Sequence, residues 1–422
     1  MLKRVLGTKD ILPEEVNIWQ EMEKRSAAIF SLYGYKEIRT PVIEDISLFN
    51  RSLGDFTEIV QKQMFEIQRD KETYVLRPEA TAAIVRAYLE NSLDKKEDFL
   101  KLYYTGAMFR AERPQKGRLR QFHHIGCEAI GSLSPLLDAE IISMADRILS
   151  SLGISGYEIK INSLGCAEDK KKLADILKKD LKEKLHTLCQ DCQERFDRNV
   201  FRILDCKNDT CRKTVEHLNL SNKYLCAECL AHFDAVKANL DSLEVKYIAV
   251  PYLVRGLDYY TSTVFEITHK GLGAQDAIGA GGRYDNLIKQ LGGEATPAMG
   301  FAFGIERLIL AKNPKGQESP ARKNVFIVVL GEHAAKEGFI LLDKMRKAGI
   351  QAEMDYQQKS MKGQMRRADA LQSRFVVIIG DDELKKGVVG LKDLTCGEQK
   401  ETRIENLILE LNSVRKNGMS IV

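Results

Sequence analysis

The chain has 422 residues, of which 44% are apolar, 7% aromatic and 29% charged. This composition excludes a disordered or fibrous protein and is typical of a globular protein with two or three domains. Lysine and arginine number 64 against 60 aspartates and glutamates, which leaves a net charge of +4. A balance so close to neutral neither requires nor excludes a nucleic-acid partner, because local clusters of charge decide that question.

No apolar segment of the chain is long enough to direct it to a membrane. Near the start, Asp10 and Pro13 interrupt any apolar stretch of the length that a signal peptide needs. The longest apolar runs, 325–330 and 375–379, are far shorter than the ~20 residues that span a bilayer. We therefore expect a cytoplasmic protein without membrane contact. In that reducing compartment, metal binding or free thiols are more common than disulfides.

In chain order, the first three quarters of the sequence predict a mixed α/β (α+β) domain with an insertion. Apolar residues recur at helical spacing over 13–33, 78–89 and 138–152, and segments 100–111, 121–131 and 261–268 have strand character. From Cys166 to Glu244 the chain is helical, charge-rich and cysteine-rich. We interpret 166–244 as an insertion into a domain formed by 1–165 and 245–311.

The last quarter predicts a separate small domain. Residues 312–323 contain two prolines and many polar side chains, which is typical of a linker. In 324–422 the apolar strands NVFIVVLG and RFVVIIG alternate with helices predicted at 335–348, 360–372 and 403–416. This alternation indicates an α/β domain with a largely parallel sheet.

The segment 108–131 carries the most informative polar pattern. Because side chains alternate along a strand, Phe122, His124 and Glu128 share one face of the second predicted strand. Arg110 and Glu112 are predicted to share a face of the preceding strand. An aromatic ring, a guanidinium and carboxylates on one sheet face suit a ligand with a flat base and a phosphate, although an ordinary hairpin with a solvated face is the alternative. The connecting loop carries the cations Arg113, Lys116, Arg118 and Arg120, which indicate phosphates or simply a solvated loop.

Three later segments are weaker signals when taken singly. RGLDYY, 255–260, suits the edge of a polar pocket or a turn that begins a strand. The glycines of GAGGRYD, 279–285, allow close backbone approach but do not form a dinucleotide fingerprint. GFAFGIER, 300–307, places two glycines before a helix that bears Arg307, a pattern that could hold a phosphate or be structural.

The cysteines form a separate pattern, because six of the nine fall between Cys189 and Cys229. The pairs Cys189/Cys192 and Cys226/Cys229 each have the spacing of zinc ligands, and Cys206 and Cys211 lie between them. The two pairs predict one tetrahedral structural zinc site with four thiolate ligands. The alternative is a set of reduced thiols packed inside a helical hairpin.

Taken together and in this order, the motifs resemble the histidyl-tRNA synthetase family of class II aminoacyl-tRNA synthetases. FRAE and RQF within 109–122 resemble class II motif 2, and 300–307 resembles motif 3. LRPEAT, 76–81, and RGLDYY, 255–260, resemble two histidine-specific signatures. The resemblance covers nearly the whole chain. It implies a catalytic core built on an antiparallel sheet, an insertion that clasps the tRNA acceptor arm, and a C-terminal anticodon-binding domain. It also implies a homodimer joined through about 14–60.

The resemblance implies ATP-dependent ligation of L-histidine to tRNA(His) through histidyl-adenylate, with release of AMP and diphosphate and with Mg²⁺ accompanying ATP. Arg110 and Arg255 would be the catalytic cations, and the loop cations of 113–120 would meet the tRNA acceptor end. The implied ATP-binding residues are Arg110, Glu112, Phe122 and Arg307. The implied histidine-binding residues are Glu79, Ala80, Thr81, Arg110, His124, Glu128, Arg255, Tyr259, Tyr260 and Tyr284. His124 departs from the family pattern, which usually has Gln at that position.

Two other hypotheses compete with this one. The catalytically silent paralogue that serves as regulatory subunit of ATP phosphoribosyltransferase shares the core but lacks the anticodon domain and the full RGLDYY signature. A zinc-ribbon RNA-binding protein would explain the cysteines. It would not explain the joint presence of Glu79, Arg110, Arg255 and Arg307.

Overall fold

The computed structural model describes residues 2–54, 57–206, 208–218, 220–273, 276–312 and 324–417. Internal contacts divide the chain into two compact units, Met1–Lys315 and Gly316–Val422. All of the predicted linker 312–323 except Lys312 lies outside the described residues. Within the described ranges, no helix combines the length and the apolar character that a membrane crossing requires.

An eight-stranded sheet forms the centre of the first unit. Its strands are numbered in chain order, and across the sheet they follow one another as β1 (Lys36–Glu37), β5 (Leu100–Phe109), β6 (Gln121–Ile130), β11 (Ala298–Gly304), β10 (Ala277–Arg283), β9 (Thr261–His269), β7 (Tyr157–Ser163) and β8 (Ile248–Ala249). Neighbours are antiparallel except at the two edges, where β1 lies parallel to β5 and β8 parallel to β7. The edge strand β8 has only two residues, Ile248 and Ala249.

A second, three-stranded antiparallel sheet was not predicted from the sequence. It consists of β2 (Ile43–Asp45), β4 (Glu72–Leu76) and β3 (Phe65–Arg69), in that spatial order. Most of its side chains are exposed or half-buried, so its sequence lacks the clear apolar alternation of a core strand.

Helices cover the large sheet and build the insertion. Those of the first unit are α1 (Pro13–Leu32), α2 (Ile46–Leu53), α3 (Thr81–Glu90), α4 (Pro135–Ser151), α5 (Ala167–Lys182), α6 (Gln190–Arg198), α7 (Phe201–Leu204), α8 (Asp209–Glu216), α9 (Ala227–Ser242), α10 (Leu287–Gln290) and α11 (Ile305–Lys312). A proline opens both α1 and α4, where the missing N–H has no intrahelical partner to lose. The helix predicted from residue 78 begins three residues later, at Thr81.

Three buried clusters account for the packing of the first unit. One contains residues of α1, α4, α9 and the sheet, such as Trp19, Ile141 and Phe303. A second contains residues of α2 and α3 together with the tyrosines of the cavity described below. The insertion has a third cluster of its own, in which Leu173, Leu177 and Leu181 of α5 recur at i, i+4 spacing.

The second unit is a five-stranded sheet with helices. In spatial order its strands are β13 (Ala352–Met354), β12 (Val325–Leu330), β14 (Phe375–Gly380), β15 (Val388–Asp393) and β16 (Gln399–Arg403). Its helices are α12 (Glu332–Lys347), α13 (Met361–Ala370), α14 (Asp381–Lys386) and α15 (Ile404–Asn417). The pairing of β12 with β14 is parallel, as predicted from their apolar runs, and β13, which was not predicted, also pairs parallel with β12. The pairings β14–β15 and β15–β16 are antiparallel, so the sheet is mixed rather than largely parallel. The predicted α/β (α+β) class is confirmed for both units.

Candidate active site

The site begins where β4 turns into α3. The Glu79 carboxylate accepts the backbone N–H of Thr81 at 2.7 Å and that of Ala82 at 2.9 Å, so it caps the helix. Burial raises the pKa of Glu79. Ala80 is fully buried and supports this wall without lining the cavity.

A buried carboxylate on β6 is the centre of a hydroxyl network. The Thr81 hydroxyl donates to Glu128 Oε1 at 2.8 Å, and the Tyr284 hydroxyl donates to Oε2. Burial raises the pKa of Glu128 to about 8, against the two hydroxyls, which favour its charged form. On β11, a Cβ at Gly300 would lie 1.9 Å from Glu128 Oε2, so this position has room only for glycine.

His124 lies on the same face of β6, as the strand alternation predicts. Its ring centroid is 5.1 Å from that of Phe122. Burial, followed by the charges of Arg110 and Arg307, lowers the pKa of His124 to about 3. The ring is therefore neutral at physiological pH, and its buried Nδ1 has no hydrogen-bond partner among the described residues.

Arg110 and Glu112 lie beyond the end of β5 at Phe109, so the prediction that they share a strand face is wrong. The backbone leaves the sheet at this point to form the loop toward β6. Arg110 Nε donates to the carbonyl of Pro78 at 3.0 Å, and its guanidinium carbon lies 5.3 Å from the Phe122 ring centroid. Glu112 pairs with Arg118 at 3.1 Å. An aromatic face and a guanidinium thus stand side by side, which suits a base joined to a phosphate.

Arg307, in the first turn of α11, joins this loop to the sheet. Its Nε donates to the carbonyl of Gly117 at 3.0 Å, and its Nη1 donates to the carbonyl of Ala277 at the start of β10. The side chain is held from two sides, and it borders the same cavity as Arg110.

The 255–260 segment forms the opposite wall. The Arg255 guanidinium pairs with Glu266 of β9, while its buried Nε has no partner among the described residues. The Tyr259 and Tyr260 rings lie 4.8 Å apart. From the insertion, Arg202 Nη2 of α7 donates to the carbonyl of Gly256 at 2.6 Å, so the insertion holds this wall in place.

Most of the residues that the resemblance implied line one cavity of about 290 Å³. Those that line it are Glu79, Thr81, Arg110, Glu112, Arg118, Phe122, His124, Glu128, Arg255, Tyr259, Tyr260, Tyr284 and Arg307. Arg113 and Lys116 are exposed on the loop. Arg120 donates to the carbonyl of Glu112 at 3.3 Å and does not line the cavity.

The sequence did not predict several of the lining residues, among them Tyr104, Glu266 and Asp205. Tyr104 faces Gly126 across β5 and β6, and Glu266 is the polar position in the apolar run of β9. A charged residue in such a run was the available signal for Glu266. Asp205 comes from the insertion, and no local pattern could place it beside the sheet.

The predicted four-cysteine zinc site is wrong in its composition. Cys189 and Cys192 group with Cys206 and Cys211, whereas Cys226 and Cys229 group with Cys166 and Asp169. The path of the chain is the reason. Contacts from α6 through α7 to α8 return Cys206 and Cys211 to the start of α6, and α9 then begins beside the start of α5.

Comparisons with known proteins agree with this geometry. A family model described as Histidyl-tRNA synthetase matches residues 7–308, and one described as Anticodon binding domain matches 324–413. Histidine--tRNA ligase of Desulforamulus reducens is 45% identical, covering 96% of this chain and 98% of the relative. That of Moorella thermoacetica is 44% identical, covering 99% and 100%. The crystal structure of apo S. aureus histidyl-tRNA synthetase matches with a TM-score of 0.80 at 36% identity, covering 97% of this chain and 100% of that one. The chain belongs to the histidyl-tRNA synthetase family.

Proposed function

We propose that the protein ligates L-histidine to tRNA(His) in two steps. The histidine carboxylate attacks the α-phosphate of ATP and displaces diphosphate, which forms histidyl-adenylate. The 3′-terminal adenosine of the tRNA then takes the histidyl group through a hydroxyl, and AMP leaves. The observation that carries the proposal is a single cavity that joins a buried acid–hydroxyl network at Glu128 to the Arg110–Phe122 pair.

The Glu128 side of the cavity suits the amino acid. An imidazole ring has two nitrogens, at least one of which is a donor, and Glu128 and Tyr260 can satisfy both. Glu79, Ala80 and Thr81 form the wall toward the α-amino group, and Tyr259 and Tyr284 close the pocket. A site built to hydrogen-bond a polar substrate rejects analogues that lack those groups, so no editing step is needed.

The Arg110 side suits the nucleotide. Phe122 offers a face on which adenine can stack, and Glu112 can accept from the adenine amino group. Arg307 would hold the other face of the nucleotide near the terminal phosphate. Mg²⁺ would enter the site together with ATP, as part of the substrate, and its positive charge would offset the negative charge of the phosphates.

The first step gathers negative charge at the α-phosphorus, so cations fixed before the reaction lower its barrier. Arg110 is held by the Pro78 carbonyl and Arg255 by Glu266, which keeps both guanidinium groups oriented in the cavity. The buried Nε of Arg255 has a donor to offer to an incoming oxygen. We assign these two arginines as the catalytic residues.

The remaining parts of the proposal concern tRNA, assembly and compartment. The exposed Arg113 and Lys116, with Arg118 and Arg120 behind them, would meet the acceptor end. The insertion at 166–244 would clasp the acceptor arm, and 324–422 would bind the anticodon. A homodimer joined through about 14–60 and a cytoplasmic location complete the proposal. The regulatory-subunit alternative is disfavoured by the anticodon-domain match at 324–413, and the zinc-ribbon alternative leaves the cavity unexplained.

Histidine-dependent exchange between ATP and labelled diphosphate tests the first step directly. We expect exchange with L-histidine and none with the other amino acids. Absence of exchange with histidine would refute the synthetase function.

Arg255→Ala should reduce this exchange by ~100-fold or more, the usual cost of one oriented donor to a transition state, while ATP binding stays largely intact. Isothermal titration with a non-hydrolysable ATP analogue measures the binding. The matched control is Arg403→Ala, at a side chain 73% exposed in the second unit. Unchanged turnover in Arg255→Ala would remove Arg255 from the mechanism.

A further inference from the structure

Four cysteines of the insertion come together at the start of α6. The ligand atoms of Cys189, Cys192, Cys206 and Cys211 all lie within 4.8 Å of one another, and the Sγ atoms of Cys189 and Cys206 are 3.8 Å apart. Sulfur atoms placed ~2.3 Å from a central zinc at tetrahedral angles are about 3.8 Å apart, whereas a disulfide requires ~2.05 Å. All four thiols are free. The spacing is that of a site for one tetrahedral ion.

Backbone N–H groups donate hydrogen bonds to two of these sulfur atoms. The N–H of Cys189 donates to Cys211 Sγ at 3.2 Å, and the N–H of Asn208 donates to Cys206 Sγ at 3.5 Å. Cys189 also occupies the N-cap position of α6, so the positive end of that helix dipole lies at this group. Such donors around the ligands orient and stabilise metal-bound thiolates.

A second group lies at the base of the insertion. Its members are Cys166, Asp169, Cys226 and Cys229, again within 4.8 Å of one another. Cys166 occupies the N-cap position of α5 and Cys226 that of α9, so two helix N-termini meet at this group. Asp169 Oδ1 accepts the N–H of Cys226 at 3.0 Å, which fixes the carboxylate between the two helices.

The second carboxylate oxygen of Asp169, Oδ2, indicates a bound ion independently of the spacing of the thiols. The side chain is fully buried, and Oδ2 has no hydrogen-bond partner among the described residues. A buried carboxylate oxygen left unpaired is costly. Zinc accepts carboxylate oxygens as well as thiolates at tetrahedral sites, and a zinc ion would satisfy Oδ2.

We propose that the insertion holds two structural zinc ions, one on Cys189, Cys192, Cys206 and Cys211 and one on Cys166, Asp169, Cys226 and Cys229. Soft thiolate ligands around a space for one tetrahedral ion select zinc. The second ion joins the two helices where the insertion leaves and rejoins the core. The first lies beside α7, whose Arg202 holds the Gly256 carbonyl next to Arg255.

Metal content of the full-length, reduced protein tests the proposal independently of any catalytic assay. After a mild chelator wash and gel filtration, elemental analysis should find about two zinc ions per chain. Cys206→Ser and Cys229→Ser should each leave about one, and the double variant almost none. The matched control is Cys396→Ser, at an exposed free cysteine of the second unit, which should keep two. A wild-type content of about one equivalent or less overturns the two-site proposal.

A second measurement uses only unsubstituted protein, in case the serine variants do not fold. Titration with an organomercurial, which blocks thiols, should release both zinc ions to a chromogenic indicator. In a separate, untreated sample, X-ray absorption at the zinc edge should show sulfur-dominated coordination with a minor oxygen contribution, because seven of the eight proposed ligands are sulfur. No zinc release on thiol blocking, or a coordination shell of oxygen and nitrogen, contradicts the proposal.

Discussion

Glu128 and His124 show how the fold changes the chemistry of single side chains. A glutamate has an ordinary pKa of 4.5, but burial raises that of Glu128 to about 8, which favours its neutral form in the cavity near pH 7. The pKa of His124 is lowered to about 3, so its ring is also neutral.

Glu128→Gln should remove a pH dependence of stability. The folded state binds the Glu128 proton more tightly than the unfolded chain does. This contribution is therefore fully present below the unfolded pKa of 4.5 and is lost as the pH rises through about 8. Between about pH 5 and pH 8, the Tm of the ligand-free wild type should fall more than that of the variant. Thermal unfolding across this range measures both, and parallel Tm profiles would contradict the raised pKa.

At the scale of elements, one buried carboxylate joins three parts of the first unit. Asp138 of α4 pairs with Arg283 of β10 and lies 2.9 Å from His232 Nε2 of α9. The side chains of Asp138 and Arg283 are both fully buried. The sheet, the helix packed on it and the last helix of the insertion thus meet at a single charged group.

Asp138→Ala should therefore cost about 3 kcal/mol of unfolding free energy, because it leaves the Arg283 charge buried with less compensation. Asp234→Ala is the control within α9, since the Asp234 side chain is 56% exposed and its pair with Lys237 contributes little. Urea unfolding measures both. Equal losses in the two variants would show that the buried pair has no special role.

At the scale of the whole molecule, the two units have different parts of the proposed function. Every residue that lines the 290 Å³ cavity belongs to Met1–Lys315. The second unit has a buried cluster of its own around β12 and β14, as an independently folding domain requires.

A fragment of residues 1–315 should therefore retain histidine-dependent exchange while tRNA charging falls by about tenfold or more, since anticodon contacts are lost. Both assays are run beside the full-length protein, with circular dichroism to verify folding. Normal charging by the fragment would disprove the anticodon assignment. A folded fragment without exchange would show that adenylate formation needs the second unit.

Much of the site followed from local pattern. Alternation along β6 was sufficient to put Phe122, His124 and Glu128 on one face, because a strand turns alternate side chains to opposite sides. The apolar runs of β12 and β14 likewise predicted parallel, doubly covered strands. The short polar strands of the β2–β4–β3 sheet carried no such signal, and they were missed.

The sequence by itself determined the fold class, through the periods of its strands and helices. It determined the family and most of the residues around the cavity through the resemblance of its motifs. The tertiary structure alone decided that Glu79 caps α3, that burial raises the pKa of Glu128, that Asp205 of the insertion reaches the cavity, and which cysteines meet. Cys189 is three residues from Cys192 but 17 from Cys206, and Cys166 is 60 from Cys226. Contacts between residues so far apart in the sequence depend on the whole path of the chain. The spacing of residues within one strand or helix does not reveal them.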